Sequence, residues 1–292
     1  MRLLDSHLHL WDPSRLYYEW LAGPLAPRFA AEELAHAGVD GAERAAAIFV
    51  QAECIESQFL DEVRWVSETA AHTGVVGIVA GARLDRGERT TAHLAALAGL
   101  EGAVGVVGVR HNLQDEPDAT ARSDAFRTGA AALVAHGLRF DACVRAHQLP
   151  DVSDLAAAVP ALPIVLDHLG KPSIGTAADP LRPAAAWLSD LQELAAHPQV
   201  SVKLSGLPAE AGGSWSPAQV APFLDAAAEA FGPDRLLWGS DWPVSALGGD
   251  PKEYHPASRD RWAQAVADWA DARGLDVDAI LWDNAARFYG VA

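Results

Sequence analysis

The sequence predicts an α/β protein built as a (β/α)8 TIM barrel, and three observations lead to that fold class. The chain has 292 residues, a length typical of one such barrel. Short apolar runs alternate with Ala-rich segments of helical spacing along most of the sequence. Strands that alternate with helices form parallel β-α units, and eight such units close into a barrel. Because no Gly/Ser-rich linker or shift in composition interrupts the chain, we interpret residues 1–292 as one domain.

Eight strands are predicted, at residues 3–10, 45–53, 75–84, 103–111, 138–145, 164–168, 200–205 and 236–241. Helical patterns lie between them, at residues 56–72, 90–98, 123–136, 149–159, 183–197 and 217–231. Two further helices, at residues 258–273 and 277–289, follow the last strand and are expected to pack on the outside of the barrel. Long connections at residues 11–41 and 246–256 leave carboxyl ends of strands, where barrel enzymes place their active sites. Their aromatic residues either wall off a pocket or anchor surface loops.

The composition excludes several classes of protein. With 22 Lys+Arg against 39 Asp+Glu, the net charge of −17 argues against nucleic acid or an anionic membrane as a partner. The two cysteines, Cys54 and Cys143, imply no disulfide framework and fit a reducing compartment. Asp5 and His7 interrupt any signal-peptide core, and no apolar stretch reaches the length of a membrane span. We therefore expect a soluble, cytoplasmic protein that acts on a small molecule, with a homo-oligomer left open.

The polar pattern of the first predicted strand is the strongest local signal. In the run Asp5-Ser6-His7-Leu8-His9-Leu10, alternate residues share one face of a strand, so Asp5, His7 and His9 are expected on the same side. Two neutral imidazoles at this spacing can bind one metal ion, or they can donate N–H groups to a substrate carbonyl. Two histidines without any shared function would give the same pattern. The pair alone therefore does not establish a metal-binding or substrate-binding site.

Further polar residues end later predicted strands, and a barrel would bring them to one mouth. They are Gln51, Glu53, Arg110, His111, Arg145, His147, Asp167, His168, Lys203, Asp241 and Trp242. A set suited to one Zn²⁺-like ion with an open position for water consists of His7, His9, His168 and Asp241. Glu53 is either an additional ligand or the salt-bridge partner of an arginine.

Residue types suggest the roles at this mouth. A metal-bound water can have its pKa lowered to ~7. A neighbouring carboxylate can take its proton and deliver it to the leaving group, and Asp241 is the candidate. Unpaired guanidinium groups at the ends of apolar strands are costly, so Arg110 and Arg145 are interpreted as substrate clamps unless they pair with neighbouring acids. Lys203 either binds a substrate oxygen or neutralises nearby carboxylates. The residues expected to contact the substrate are Arg110, His111, Arg145, Lys203 and Trp242.

Six motifs together resemble the amidohydrolase superfamily, specifically the amidohydrolase-2 branch that contains sugar-lactone and dicarboxylate-lactone hydrolases. In chain order they are Asp5-Ser6-His7-Leu8-His9-Leu10-Trp11-Asp12-Pro13, Val109-Arg110-His111-Asn112-Leu113-Gln114-Asp115-Glu116-Pro117, Phe140-Asp141-Ala142-Cys143-Val144-Arg145, Val165-Leu166-Asp167-His168-Leu169-Gly170-Lys171-Pro172, Val202-Lys203-Leu204-Ser205-Gly206-Leu207 and Gly239-Ser240-Asp241-Trp242-Pro243-Val244. The resemblance implies a distorted barrel and hydrolysis at a carbonyl centre. It also implies a core site formed by His7, His9, His168 and Asp241.

One departure from the wider superfamily bears on the cofactor. Its dinuclear members bridge two metals with a carboxylated lysine, usually from the fourth strand, and the predicted fourth strand at residues 103–111 contains no lysine. We therefore expect at most one divalent ion, with zinc as the candidate. The branch resembled also includes members that work without metal, so a metal-free mechanism stays open.

The expected function is that of a hydrolase that opens a sugar lactone or a related carboxylated lactone, with Asp241 and His168 as catalytic residues. The alternatives are a decarboxylase of an unsaturated or aromatic acid on the same site, and a metabolite-binding barrel without catalysis.

Overall fold

The architecture is an eight-stranded parallel barrel surrounded by helices, seen in a computed structural model that describes residues 1–39, 41–212, 214–246 and 258–291. The strands lie side by side in chain order, each parallel to the next. They are β1 Arg2–Leu8, β2 Arg44–Val50, β3 Val75–Gly81, β4 Val106–Arg110, β5 Arg139–Ala142, β6 Ile164–Leu166, β7 Val200–Leu204 and β8 Leu236–Trp238. The residues after β8 approach β1 through a bridge between Leu8 and Trp242. The prediction of a (β/α)8 barrel is confirmed.

The α-helices connect the strands and cover the barrel. They are α1 Ala31–Ala35, α2 Phe59–Thr73, α3 Glu88–Ala98, α4 Asp124–Ala135, α5 Leu149–Ala158, α6 Ala185–Ala195, α7 Leu207–Glu210, α8 Pro217–Phe231, α9 Ser258–Asp271 and α10 Asn284–Tyr289. Local sequence sets their ends. The Ser123 and Ser216 hydroxyls accept backbone N–H groups at the starts of α4 and α8, and Gly74 ends α2 in the left-handed region. Of the described helices, none combines the length and apolar character that a bilayer crossing requires.

Successive side chains of each strand point to opposite faces of the sheet, and the buried ones form two separate apolar layers. The larger layer lies between the strands and the surrounding helices and includes Phe49, Leu94 and Phe126. A smaller layer contains the opposite faces of the strands together with residues of the C-terminal segment. Its buried members are Leu4, Ala46, Ile48, Val50, Val79, Val165, Leu237, Trp282, Ala285 and Tyr289. The smaller layer is the barrel interior.

The structure places the C-terminal segment differently from the sequence prediction. Residues 277–289 were predicted to pack outside the barrel. Instead, a π-helical turn, Ala279–Asp283, and α10 close its amino end. Arg2, at the start of β1, donates to both Asp283 carboxylate oxygens at 3.0 Å. The interior must be filled for the barrel to be stable, and the apolar side chains of this segment fill it.

The structure describes most of the first long connection and only the first residue of the second. The first, at residues 11–41, contains a 3-10 turn at Gly23–Leu25 and α1. Its Trp11 is fully buried and donates its indole N–H to the carbonyls of Leu25 and Pro27 at 3.1 and 2.8 Å. The second, predicted at residues 246–256, lies outside the described residues from position 247 onward.

Candidate active site

His7 in β1 and His9 directly after it meet at the carboxyl end of the barrel. Their Nε2 atoms lie 3.1 Å apart. The His9 Nδ1 lies 2.8 Å from the carbonyl oxygen of Val50, a contact that orients this ring. Both side chains are buried. His7 thus presents its ring from within β1, and His9 presents its ring from the position directly after the last strand residue, Leu8.

Asp5 does not share their face. The pairing of β1 with β2 is irregular between Asp5 and Leu8, which breaks the simple alternation. The Asp5 carboxylate accepts the backbone N–H groups of His7 and Ser240 at 3.1 and 2.8 Å, and it pairs with Arg259 of α9 at 3.0 Å. This carboxylate therefore ties the first strand to the segment after the eighth and positions both halves of the site.

Asp241 lies at the centre of the histidine group. Its Oδ1 is 3.6, 3.9 and 3.8 Å from the Nε2 atoms of His9, His7 and His168. Ser245 donates its hydroxyl to Oδ2 at 2.8 Å. The backbone N–H of Asp241 donates to the His7 carbonyl at 2.8 Å. The carboxylate is therefore fixed at the barrel mouth with one oxygen turned toward the imidazoles.

Asp241 and His168 both have left-handed backbone conformations, with φ of 54° and 55°. This region costs a non-glycine residue ~1–2 kcal/mol, and such strain concentrates at functional sites. The His168 Nδ1 lies 2.9 Å from the Ser205 hydroxyl. The adjacent Gly206 leaves room for this ring, since a Cβ atom there would lie 2.6 Å from it.

Burial and neighbouring groups set the charges of the site. Burial lowers the pKa values of His7 and His168 well below the usual range, so both rings are neutral at pH ~7. Burial alone would raise the pKa of Asp241, but His168, His9 and the Ser245 hydroxyl outweigh that effect and lower it. The site thus combines the neutral rings of His7 and His168 with the ionised carboxylate of Asp241.

This donor set fits a divalent metal ion. Ligand atoms of His7, His168 and Asp241 all lie within 4.8 Å of one another, and His9 Nε2 is next to two of them. Nitrogen and carboxylate ligands suit zinc, and the orienting contact of His9 with a backbone carbonyl is typical of metal-bound histidines. Glu53 is not a member of this group. Its carboxylate accepts the Gln51 side-chain amide.

Lys203 lies beneath the histidines and is fully buried. Its Nζ is 2.5 Å from Asp141 Oδ2, 3.0 Å from Asp167 Oδ1 and 3.0 Å from His7 Nδ1. Tyr289 donates its hydroxyl to the same Asp141 oxygen at 2.8 Å. Lys203 does not line the cavity described below, so of its two predicted roles the structure favours neutralisation of carboxylates over substrate binding.

A cavity of about 290 Å³ opens above the histidines and Asp241. Its lining residues are His9, Trp20, Ala52, Glu53, Arg110, Asn112, Gln114, Asp115, Cys143, His168, Lys171, Gly206, Ala209, Glu210, Asp241 and Val244. Side chains of both charges are present together with one tryptophan. The cavity therefore suits a polar molecule with many hydrogen-bonding groups.

The two arginines predicted as substrate clamps lie in different environments. Arg110 is buried and lines the cavity. It donates to the Gln51 carbonyl at 2.5 Å and lies 3.9 Å from Asp167. Arg145 is exposed, pairs with Asp115 at 3.3 Å and is not among the lining residues. The fifth strand ends at Ala142, earlier than predicted, and the chain has turned away before Arg145.

His111 and Trp242, also predicted to contact substrate, are not among the lining residues. The fourth strand ends at Arg110, and the His111 ring packs against Phe126 while its Nδ1 accepts the Leu84 N–H at 3.2 Å. Trp242 is buried and its ring packs against Phe29, with centroids 5.6 Å apart. Both side chains occupy the packing around the mouth.

Sequence reasoning assigned no role to several cavity residues. Lys171 and Gln114, which hydrogen-bond to each other, lie within motifs of the resemblance quoted above, and that position was the available signal. Glu210 of α7 carried no such signal, whereas Trp20 is an aromatic residue of the first long connection, for which a pocket wall was one of the two expected roles. Trp20 donates its indole N–H to the Ala52 carbonyl at 2.8 Å, which holds the ring at the cavity wall.

A parallel barrel whose strand ends present three imidazoles and a carboxylate belongs to the class of barrel enzymes with a metal-binding donor set at the mouth. Comparison of the sequence with known protein families identifies the family within this class of barrel enzymes. The amidohydrolase family matches residues 4–291, and the chain belongs to this family. The predicted membership is confirmed.

Two of the similar proteins match nearly the whole chain, and a third matches about half of it. An L-fucono-1,5-lactonase of Burkholderia multivorans is 34% identical, with 99% of this chain and 96% of the relative covered. The crystal structure of an amidohydrolase from Burkholderia multivorans with bound zinc has a TM-score of 0.81 at 33% identity and covers 100% of both chains. A 4-sulfomuconolactone hydrolase of Rhizobium radiobacter is 36% identical over 52% of this chain and 48% of its own.

Proposed function

We propose that this protein hydrolyses the ring ester of a lactone, and that a polyhydroxylated sugar lactone is its substrate. The observation that carries the proposal is the ionised Asp241 carboxylate among buried imidazoles at the floor of a polar cavity. Two relatives described above are named for lactone hydrolysis, and one of them is similar over its full length. Neither is named for decarboxylation.

The cavity lining favours an uncharged sugar lactone over a dicarboxylate lactone. Arg110 and Lys171 are cationic, but the acidic side chains of Glu53, Asp115 and Glu210 line the same space. A dianion would meet these carboxylates, whereas hydroxyl groups can donate to acids and accept from cations. The indole of Trp20 offers an apolar face to a sugar ring.

The reaction follows from the placement of Asp241. Water adds to the ring carbonyl carbon, and the Asp241 carboxylate takes one of its protons. The bond from the carbonyl carbon to the ring oxygen then breaks. Asp241 returns the proton to this oxygen, which becomes a hydroxyl group. The product is a hydroxy acid, which releases one proton to solvent near neutral pH.

The metal ion proposed for this site is one zinc ion per chain, held by His7, His9, His168 and Asp241. When bound, such an ion supplies Lewis-acid polarisation of the carbonyl and acidifies water. The zinc-bound relative and the clustered ligand atoms support the proposal. Elemental analysis of protein purified without chelator checks it. Two equivalents per chain would contradict a mononuclear site, and full activity in chelator would favour the metal-free alternative.

The proposed activity is tested by screening aldono-1,5-lactones, aldono-1,4-lactones and dicarboxylate lactones with a pH indicator, since ring opening releases acid. We expect acid release with sugar lactones, and at least ~100-fold slower release in the Asp241→Asn variant. Release of carbon dioxide from an unsaturated or aromatic acid, with every lactone left intact, would support the decarboxylase alternative. Binding without turnover of any compound would support the non-catalytic alternative.

A further inference from the structure

One acidic side chain of the cavity lining, Glu210, differs from the other charged ones in its hydrogen bonds. The others bond to neighbouring residues of the chain, and they are Glu53, Arg110, Asp115, Lys171 and Asp241. Within the part of the chain that the structure describes, the Glu210 carboxyl group has no hydrogen bond and no ion pair. Both of its oxygens are therefore available to a molecule in the cavity.

The half-buried position of Glu210 makes this lack of a partner costly. A carboxyl group that is partly removed from water without a compensating hydrogen bond disfavours the folded state. Burial raises the pKa of Glu210, an effect that the positive charges of Lys171 and Arg145 oppose and that the negative charge of Asp241 increases. Natural proteins accept such costs mainly at functional sites, so the unpaired carboxyl group points to a ligand.

The backbone around Glu210 fixes this carboxyl group relative to the groups of the proposed reaction. Glu210 ends α7, which starts directly after Gly206, the residue that adjoins the His168 ring. Its backbone N–H donates to the Gly206 carbonyl at 3.1 Å. Helix α7 also packs against the 3-10 turn Val244–Ala246, from which a serine hydroxyl donates to Asp241. A substrate group bound by Glu210 is therefore placed in a defined position relative to His168 and Asp241.

We propose that Glu210 is a specificity-determining residue whose carboxyl group binds ring hydroxyl groups of the sugar lactone. A carboxyl group accepts from hydroxyl groups whether or not it is protonated, and its two oxygens can serve two neighbouring hydroxyls. A lactone that lacks such a hydroxyl leaves the carboxyl group unpaired in the closed cavity, so the cavity discriminates against it. This inference rests on the proposed function, since it names the part of a sugar lactone that the cavity recognises.

The first test combines one variant with altered substrates. Wild type and Glu210→Ala are assayed on an accepted aldono-1,5-lactone and on analogues that each lack one hydroxyl group. We expect Glu210→Ala to lower kcat/KM for the parent lactone by ~10–100-fold, as for loss of a hydrogen bond to a charged group. For at least one analogue the loss should be smaller by ~5-fold or more, because the missing hydroxyl is the one that Glu210 binds. Equal losses on all the lactones, or no loss on the parent, overturn the proposal.

Two further variants separate binding from a structural role. Glu210→Gln keeps the size of the side chain and one acceptor oxygen, so it should lose less activity than Glu210→Ala, and it decides the test if the Ala variant does not fold. Glu193→Ala is the matched control, because Glu193 is exposed on α6 and does not line the cavity. Thermal unfolding should show Glu210→Ala to be at least as stable as wild type. Equal losses of activity in the Gln and Ala variants, or in the control, would contradict the proposal.

Binding of lactams keeps this inference separate from the proposed activity. Aldono-1,5-lactams of gluco, galacto and manno configuration carry the same hydroxyl groups on a ring amide, and calorimetry measures their affinity without ester hydrolysis. We expect wild type to bind at least one of them, and Glu210→Ala to bind it ~10–100-fold more weakly. If this difference is found and no lactone is hydrolysed, the proposed activity fails and the inference stands. Equal affinities of both proteins, or no binding to wild type, overturn the inference even where lactones are hydrolysed.

Discussion

At the scale of single residues, the function of Asp241 depends on two opposing influences on its carboxylate. Burial disfavours its charge, whereas the surrounding imidazoles and the Ser245 hydroxyl favour it. The left-handed backbone at Asp241 and the hydrogen bond from Ser245 hold the carboxylate in one orientation. A group held in this way takes and returns a proton without rearrangement, which is the condition for general acid–base catalysis.

Replacement of Asp241 by Asn tests this role. The amide keeps the shape of the side chain but cannot accept a proton at neutral pH, so kcat should fall by ~10²–10⁴-fold, the usual contribution of general acid–base catalysis. Steady-state kinetics on an accepted lactone measures the loss. The comparison is valid when circular dichroism and metal content match those of the wild type. A folded, equally metallated variant within a few-fold of wild-type kcat would exclude Asp241 from proton transfer.

The two arginines predicted to clamp the substrate now have different expected effects. Arg110→Ala removes a buried cation from the cavity wall, and loss of a charge-assisted hydrogen bond costs ~1.5–3 kcal/mol, or roughly 10–100-fold in kcat/KM. Arg145→Ala removes an exposed side chain that pairs with Asp115, so it serves as the matched control and should stay within a few-fold. Equal losses in both variants would instead place Arg145 at the substrate.

At the scale of elements, the strands could be predicted better than the residues at their ends. The alternation of apolar runs and Ala-rich segments depends only on spacing, and it located all eight strands. The ends depend on tertiary hydrogen bonds. The fourth and fifth strands stop at Arg110 and Ala142, which moves His111 and Arg145 away from the cavity. Trp20 and Glu210 reach the cavity through loop and helix geometry that sequence spacing does not encode.

The junction between β7 and α7 depends on a glycine. A Cβ at Gly206 would lie 2.6 Å from the His168 ring, and φ is +73°. Gly212 has a similar φ of +67°, and among the described residues no atom lies within 4 Å of its Cβ position. Both Gly→Ala variants should lose ~1–2 kcal/mol of stability from the backbone. Only Gly206→Ala should also lower kcat, by about 100-fold, because it displaces His168. Thermal unfolding and kinetics on the two variants separate these effects, and equal kcat values would contradict the steric argument.

Helix α2 carries a carboxyl whose protonation links stability to pH. Burial raises the pKa of Glu62 to about 8, against 4.5 for an ordinary glutamate. The folded state therefore binds more protons between these values. The contribution of Glu62 to stability is full below pH 4.5 and is lost as the pH rises through about 8. Glu62→Gln removes this dependence, so its stability relative to wild type should increase over that range, by up to ~1.4 kcal/mol per unit of pKa shift.

Urea unfolding at several pH values checks the Glu62 prediction, with Glu68→Gln as the control because Glu68 is exposed on the same helix. The difference in stability between the Glu68 variant and wild type should not change with pH. A constant difference for the Glu62 variant as well would show that this carboxyl is ionised in the folded state throughout the range.

At the scale of the whole molecule, one network connects the closed end of the barrel to the site. Tyr289 of α10 donates to Asp141, which contacts Lys203, which contacts His7. Periodicity indicated an amphipathic C-terminal segment but not the surface that it covers. For this reason the segment was expected outside the barrel, whereas its apolar side chains fill the interior.

Replacement of Tyr289 by Phe should destabilise the protein without altering its fold. The change leaves a buried carboxylate oxygen of Asp141 with one hydrogen bond fewer, which costs ~1.5–3 kcal/mol. Equilibrium unfolding in urea measures the loss. Tyr17→Phe is the control, because Tyr17 is 60% exposed and should change stability by less than ~0.5 kcal/mol. Equal stabilities of both variants would show that the Tyr289 hydroxyl contributes nothing net.

The position of the closing segment also bears on the order of events during synthesis. A ribosome releases all eight strands before residues 279–289, so a nascent barrel emerges with an open amino end and an exposed apolar interior. The contact from Tyr289 to Asp141 cannot form at that stage. The charged groups beneath His7 therefore reach their final arrangement only after the segment has left the exit tunnel. The arrangement of the site thus depends on this closing segment, and trimming the segment would act on the site from the opposite end of the barrel.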